Sequence, residues 1–149
     1  MANEYNSCMY IKEFNAWNTV KQKINSRENT ITIRAGEIRW VVVGVNVGSE
    51  IDGKGDSFVR PGLVIKVIGK SSALFVPLST KIKNVPGYIP FEWKGKMVSL
   101  CMHQIRTVSQ QRILGRMGKI SQKRLKEFKN EIASFFDIQP ICRSLTTSI

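Results

Sequence analysis

Histidine is almost missing from this chain, cysteine is scarce, and acidic residues are outnumbered two to one. Each shortage excludes something. One histidine (His103) and three scattered cysteines (Cys8, Cys101 and Cys142) in 149 residues form no C-x-x-C pair and no zinc set of usual spacing. The odd cysteine count, with no apolar leader after Met1, argues against a disulfide framework. A Ser-His-Asp or Cys-His arrangement has only His103 to draw on, so any catalysis is expected to run without a histidine pair, a metal or a cofactor. Cys101 sits in an apolar run and reads as a small core residue. The longest aliphatic–aromatic run, Trp40 to Val43, is far too short to span a membrane. The expectation is a soluble, cytoplasmic protein.

What is present is a globular composition, 42% hydrophobic and 23% charged, at a length that suits one domain with a real core. Lys and Arg number 23 against 11 Asp and Glu, a formal charge of +12. The excess is spread along the chain and not confined to a tail. Such a surface attracts polyanions, nucleic acid first and acidic proteins or anionic membranes second.

The periodicity divides the chain in three. Tyr10, Phe14, Trp17, Val20 and Ile24 recur every three or four residues, which predicts an amphipathic helix over residues 10–25 inside an N-terminal extension (1–35). From Ile31 to about Thr107 short β-branched runs recur, at Ile38–Val45, Leu63–Ile68, Ala73–Leu78, Tyr88–Trp93 and Met97–Met102. Gly, Pro, Asn and Lys separate them, as in a small antiparallel barrel. Ser121 then caps a predicted helix from Gln122 to Phe136, with Leu125, Phe128, Ile132, Phe135 and Phe136 as its buried stripe. Residues 137–149 read as a tail. The class is α+β, mainly β.

The loop Gly44–Asp56 holds four glycines. Gly48-x4-Gly53-Lys54 fits most of a phosphate loop, but Gly55 stands where the magnesium-binding hydroxyl belongs and no helix follows. A calcium loop fails for want of alternating oxygen ligands. Taken alone, the segment reads as a hairpin loop turning at Asp52-Gly53.

The succession of motifs says more. Gly36-Glu37-Ile38, then Gly48-Ser49-Glu50, Arg60-Pro61-Gly62-Leu63-Val64-Ile65, Pro77-Leu78-Ser79-Thr80 and Gln104-Ile105-Arg106-Thr107 resembles, in that order, the MazF/PemK (Kid) family of toxin endoribonucleases over residues 36–136. The resemblance implies an SH3-like barrel with a C-terminal helix, usually a homodimer, that cuts single-stranded RNA without a metal and is held inactive by an acidic antitoxin. It makes Arg60 the residue that grips phosphate and stabilises transition-state charge. Ser79 aligns with the family's catalytic Thr, with Thr80 one position on, and either could present the hydroxyl. Glu50 matches the loop glutamate that orients or deprotonates the 2′-hydroxyl. Ser49, Lys54, Lys81, Gln104 and Arg106 become candidate RNA contacts. The loop is longer than the family's, with Ile51-Asp52 for Gln-Gly. The same barrel also serves noncatalytic poisons such as CcdB-like gyrase binders, and an RNA- or peptide-binding module with a decayed site is the remaining alternative. The Arg60-Pro61 and Ser79-Thr80 pairing favours the nuclease.

Overall fold

A computed structural model of the chain describes residues 10–28 and 31–138. Cys8, Cys142 and the tail from residue 139 lie outside the described residues. Seven strands carry the fold: β1 (Glu37–Val42), β2 (Val59–Ile68), β3 (Ser72–Ser79), β4 (Tyr88–Trp93), β5 (Lys96–Cys101), β6 (Arg106–Ser109) and β7 (Ile113–Lys119). Two helices flank them, α1 (Phe14–Asn25) and α2 (Gln122–Phe135). All ladders are antiparallel, in the order β4-β5-β3-β2-β1-β7, with β6 pairing the start of β3. One edge of β3 thus serves β6 at its start and β5 at its end, which curls the sheet on itself. The tip of the β4–β5 hairpin nearly closes the barrel against β7, where Lys94 Nζ donates to the Met117 carbonyl at 2.6 Å. Gly118 lets the Trp93 ring lie on the β7 backbone, and a Cβ there would come within 2.7 Å of that ring.

The inward positions explain the strands. Ile38, Leu63, Val76, Leu100 and Phe91 pack with Leu125, Phe128 and Ile132 of α2 in one core cluster, and Phe128 meets Phe91 edge to face at 5.1 Å. A second cluster, around Val41, Val64, Phe75 and Ile113, fills the other side of the sheet. Cys101 is buried, as expected, and burial pushes its thiol up to about 11; it is protonated at neutral pH. Ser121 caps α2 by accepting from Arg124 N at 3.1 Å. The helix stops where Asp137 turns left-handed (φ 55°) and the amides of Asp137 and Ile138 return to the carbonyls of Ser134 and Ala133. Phe135 packs on the core, but Phe136, the C-cap residue, is exposed, a correction to the predicted stripe.

The N-terminal extension docks on the barrel. Trp17 and Ile24 are buried with Val42, Val45 and Phe58. Gly44, at φ 88°, leaves room for Trp17, because a Cβ there would come within 2.3 Å of the indole ring. Gln111 Nε2 donates to the carbonyls of Asn25 and Arg27, both at 3.0 Å, and ties down the helix C-terminus. The helix begins at Phe14 and not at Tyr10, and Tyr10 and Phe14 are exposed. Residues 10–13 instead run beside the Gly44–Asp56 loop, where Lys12 finds three oxygen partners that a helical start would forgo. Strands β6 and β7 lie beyond the five runs that the periodicity marked and bring the barrel to seven strands. Among the described residues no helix is long and apolar enough to cross a membrane.

Candidate active site

The loop between β1 and β2 is held as a folded unit, and its turns differ from the sequence expectation. Val47–Glu50 makes one tight turn (Glu50 N to Val47 O, 3.1 Å), Gly55–Phe58 makes another (Phe58 N to Gly55 O, 3.1 Å), and Lys54 bridges to Val59. Asp52-Gly53 is a returning leg. Asp52 Oδ1 accepts from Asn46 N at 2.6 Å, and Gly53 N donates to Gly44 O at 2.8 Å. From outside, Gln104 accepts from Ile51 N at 3.0 Å and donates to Ser49 O at 3.3 Å. Lys12 Nζ donates to Asn46 O at 2.6 Å and Gly48 O at 3.1 Å, and pairs with Asp52 Oδ2 at 3.2 Å.

Arg60 sits at the foot of this loop. Its Nε donates to the Asp52 carbonyl at 2.7 Å and Nη1 to the Leu78 carbonyl at 3.4 Å. Two backbone acceptors therefore aim the guanidinium, while Nη2 has no hydrogen-bond partner among the described residues. Burial pulls its pKa below the ordinary arginine value, with Cys101 and Asp52 among the groups pulling it back. The guanidinium is thereby a less hydrated and more available cation.

Two open clefts meet at Arg60. One, of about 870 Å³, runs between the loop and the N-terminal segment and is lined by Tyr10, Glu13, Lys54, Asp56, Arg60 and Lys81 among others. The other, of about 810 Å³, has an apolar floor of Trp40, Pro61, Trp93, Val98 and Met117, with Ser79 and Thr80 along it and Lys54, Arg60, Lys94 and Lys96 as cations. Continuing the β2–β3 register two places past the Gly62–Pro77 pair puts Arg60 opposite Ser79, hence on the same face. The Ser79 hydroxyl accepts from Lys81 N at 3.1 Å, which fixes its oxygen and leaves its proton to donate.

The structure thus gathers Arg60, Ser79, Thr80, Lys54 and Lys81. It does not bring the other candidates there. Glu50 caps its own turn by accepting from Val47 N at 3.0 Å, and it lines neither cleft. Ser49 and Gln104 are bonded to each other in bracing the loop. Arg106 pairs opposite Phe75 and its charge is felt by Arg112, away from Arg60. His103 packs on Gly87 and Tyr88. Sequence reasoning missed Lys12 and the Asp52 carbonyl. A lone lysine in an amphipathic stretch carries no signal of its own, and a carbonyl has no sequence signature. Among the described residues no three His, Cys, Asp or Glu side chains cluster as metal ligands do.

A curled seven-stranded sheet with a basic cleft beneath its first long loop defines a MazF-like barrel. The sequence profile of the PemK-like, MazF-like toxins of type II toxin–antitoxin systems matches residues 34–136. The chain belongs to this family and is a toxin of that type. Solved structures agree on the fold. They include MazF from Deinococcus radiodurans (18% identity, TM-score 0.59, covering 72% of this chain and 99% of that one). The MazE–MazF complex from the same organism is also similar (14%, 0.55, 73% and 99%), as is a mycobacterial endoribonuclease with its cognate antitoxin (11%, 0.52, 73% and 99%). At these identities the likeness speaks for the fold. No curated protein sequence matches the chain.

Proposed function

We propose that this toxin is an endoribonuclease that cuts single-stranded RNA where its two clefts meet, using the RNA's own 2′-hydroxyl and no metal ion. The observation that carries the reading is Arg60: a half-buried guanidinium aimed by two backbone carbonyls, with donors left over, opposite a serine whose oxygen is already fixed. A phosphodiester seated there meets a preorganised positive charge that need not reorganise as charge builds on phosphorus. The 2′-oxygen loses its proton and bonds to phosphorus, the P–O5′ bond breaks, and the departing 5′-oxygen takes up a proton. The products are a 2′,3′-cyclic phosphate and a 5′-hydroxyl. Ser79 donates to a non-bridging oxygen, and Lys54 and Lys81 hold neighbouring phosphates. Glu50 is the acceptor that the family resemblance implies for the 2′-proton, and it would have to leave its bond with Val47 N to reach it. Burial shifts Arg60 toward proton donation without making it a good acid, so its work is charge stabilisation first. The working unit is a homodimer, and an acidic protein antitoxin silences it.

The test is end-group analysis of a mixed RNA incubated with the toxin in EDTA. Cyclic phosphate and 5′-hydroxyl ends are expected. Products with 5′-phosphate, or cleavage abolished by EDTA, would overturn the mechanism.

A further inference from the structure

The first cleft has a wall that the family match does not include. The match begins at residue 34, yet Tyr10, Ile11, Glu13 and Ala16 line the same cleft as Arg60, Lys54 and Lys81. Tyr10 and Ile11 are 64% and 73% exposed, so neither is a core residue that merely reaches the surface. The segment bearing them is nevertheless fixed in place. Lys12, between them and α1, holds two loop carbonyls and the Asp52 carboxylate, and Trp17 anchors the helix that follows. The result is an aromatic ring and an aliphatic side chain on a clamped strap, facing a guanidinium and two lysines across about 870 Å³.

We infer that the N-terminal segment supplies a nucleobase subsite flanking the scissile phosphate, with the ring of Tyr10 as the stacking face. The inference rests on the proposed nuclease reading and deepens it. A volume of several hundred cubic ångströms suits a nucleotide. Stacking on an exposed aromatic beside a cationic track is how unpaired nucleic acid is held without duplex geometry. The lining is mixed in charge, since Glu13 and Asp56 join the cations. That mixture repels a uniformly acidic peptide. It suits a nucleotide, whose phosphate meets Arg60 and whose base offers amino and imino N–H donors to carboxylates. Two features without a family counterpart, the extension and the longer loop, therefore meet at one subsite that reads the substrate.

The experiment uses a fluorescent single-stranded RNA pool, 2′-O-methylated throughout so that it binds but cannot be cut, and in parallel a cleavable pool of unmodified RNA. Tyr10→Ala and Tyr10→Leu should each weaken binding about tenfold and raise KM by a similar factor at unchanged kcat, as loss of one stacked base does. Tyr10→Phe should bind and cut as wild type does, and all three variants should keep the wild-type melting temperature. Wild-type affinity and KM in both Tyr10→Ala and Tyr10→Leu would overturn the subsite. A wild-type protein that binds the methylated pool through Tyr10 but leaves unmodified RNA intact would sustain the subsite and sink the nuclease reading alone. A wild-type protein that binds neither pool would sink both.

Discussion

Arg60 donates its Nε–H to the carbonyl of Asp52 at 2.7 Å, across the loop that separates β1 from β2. The residue that places charge in the cleft is therefore held by the loop's backbone, and Asp52 is in turn held by its carboxylate contacts with Asn46 N and Lys12. Lysine at position 60 would keep the charge and lose the planar fork that makes this aim possible. Arg60→Lys should lower kcat about a hundredfold or more, on the scale of a lost oxyanion-type donor, while the affinity for uncleavable RNA changes little. Single-turnover cleavage beside equilibrium binding checks this, and near-wild-type cleavage would place the charge elsewhere.

The Ser79/Thr80 ambiguity resolves into a mutational contrast. The register puts Ser79 on Arg60's face and its oxygen already accepts from Lys81 N, whereas Thr80 is the more exposed of the two. Ser79→Ala should slow cleavage about tenfold to a hundredfold, as loss of a positioned donor does, and Thr80→Ala should leave the rate near wild type. The reverse ranking would mean that the strand turns over before its end in the RNA complex.

How far the site could be read in advance follows from which signals are local. Arg60-Pro61 and Ser79 extend strands β2 and β3 just beyond the predicted runs Leu63–Ile68 and Ala73–Leu78, and Thr80 follows β3 by one residue, so their meeting was legible from the motif order and not from periodicity. The helix α2 was legible to within a residue because Ser121 caps it and the apolar spacing is regular. Strand β7, Ile-Leu-Gly-Arg-Met-Gly-Lys, was not legible, because two glycines and exposed Arg116 and Lys119 dilute its pattern and pairing with β1 is what makes it a strand. Glu50 and Arg106 matched motifs by sequence, but whether a side chain faces the cleft depends on long-range contacts such as Gln104 with Ile51, which no local pattern encodes.

Glu37 gives the fold an acid limit. Its carboxylate is buried and would be raised by that burial, but the bond from Arg39 Nε at 2.7 Å, the Arg34 amide and the charges of Arg39 and Arg116 outweigh it and hold the pKa below 4.5. A depressed carboxyl stabilises the fold fully above its unfolded pKa and loses that contribution as pH falls through the folded value. Stability should therefore decline once pH drops below about 4.5. Glu37→Gln leaves Arg39 buried and uncompensated, at a cost of about 3–5 kcal/mol at neutral pH, and should flatten that acid limb. Urea midpoints measured from neutrality downward check both, and an unchanged limb in the variant would assign it to other carboxylates.

Trp17 is the anchor of the extension, 7% exposed and packed edge to face on Phe58 at 5.8 Å. Trp17→Ala should destabilise by about 3–5 kcal/mol, the usual scale for emptying an aromatic core site. Gly44→Ala should do comparable harm by a separate route, since its φ of 88° is strained for alanine and the indole occupies the space. Urea unfolding of both checks this. A Trp17→Ala protein with wild-type stability would show that α1 contributes little to the fold.

The last prediction concerns how the toxin is silenced. The apolar cleft has a floor of Trp40, Pro61, Trp93, Val98 and Met117, with Lys54, Arg60, Lys94 and Lys96 as its cations and no acidic residue among the described residues that line it. That pattern fits an amphipathic acidic segment, whose apolar side chains fill the floor while its carboxylates meet the cations. Arg60 belongs to both clefts, so an antitoxin segment seated here should compete with RNA although most of its contacts are its own. Charge drives the encounter and apolar burial holds the complex, so added salt should slow association more than it speeds dissociation. Paired substitution Lys94→Ala with Lys96→Ala should lower the antitoxin on-rate severalfold and leave RNA cleavage near wild type. Competition between the acidic segment and 2′-O-methylated RNA, followed by stopped-flow mixing across a salt series, measures each of these. Simultaneous binding of both ligands without mutual loss of affinity would show that Arg60 is not shared, and would move the antitoxin to another face of the barrel.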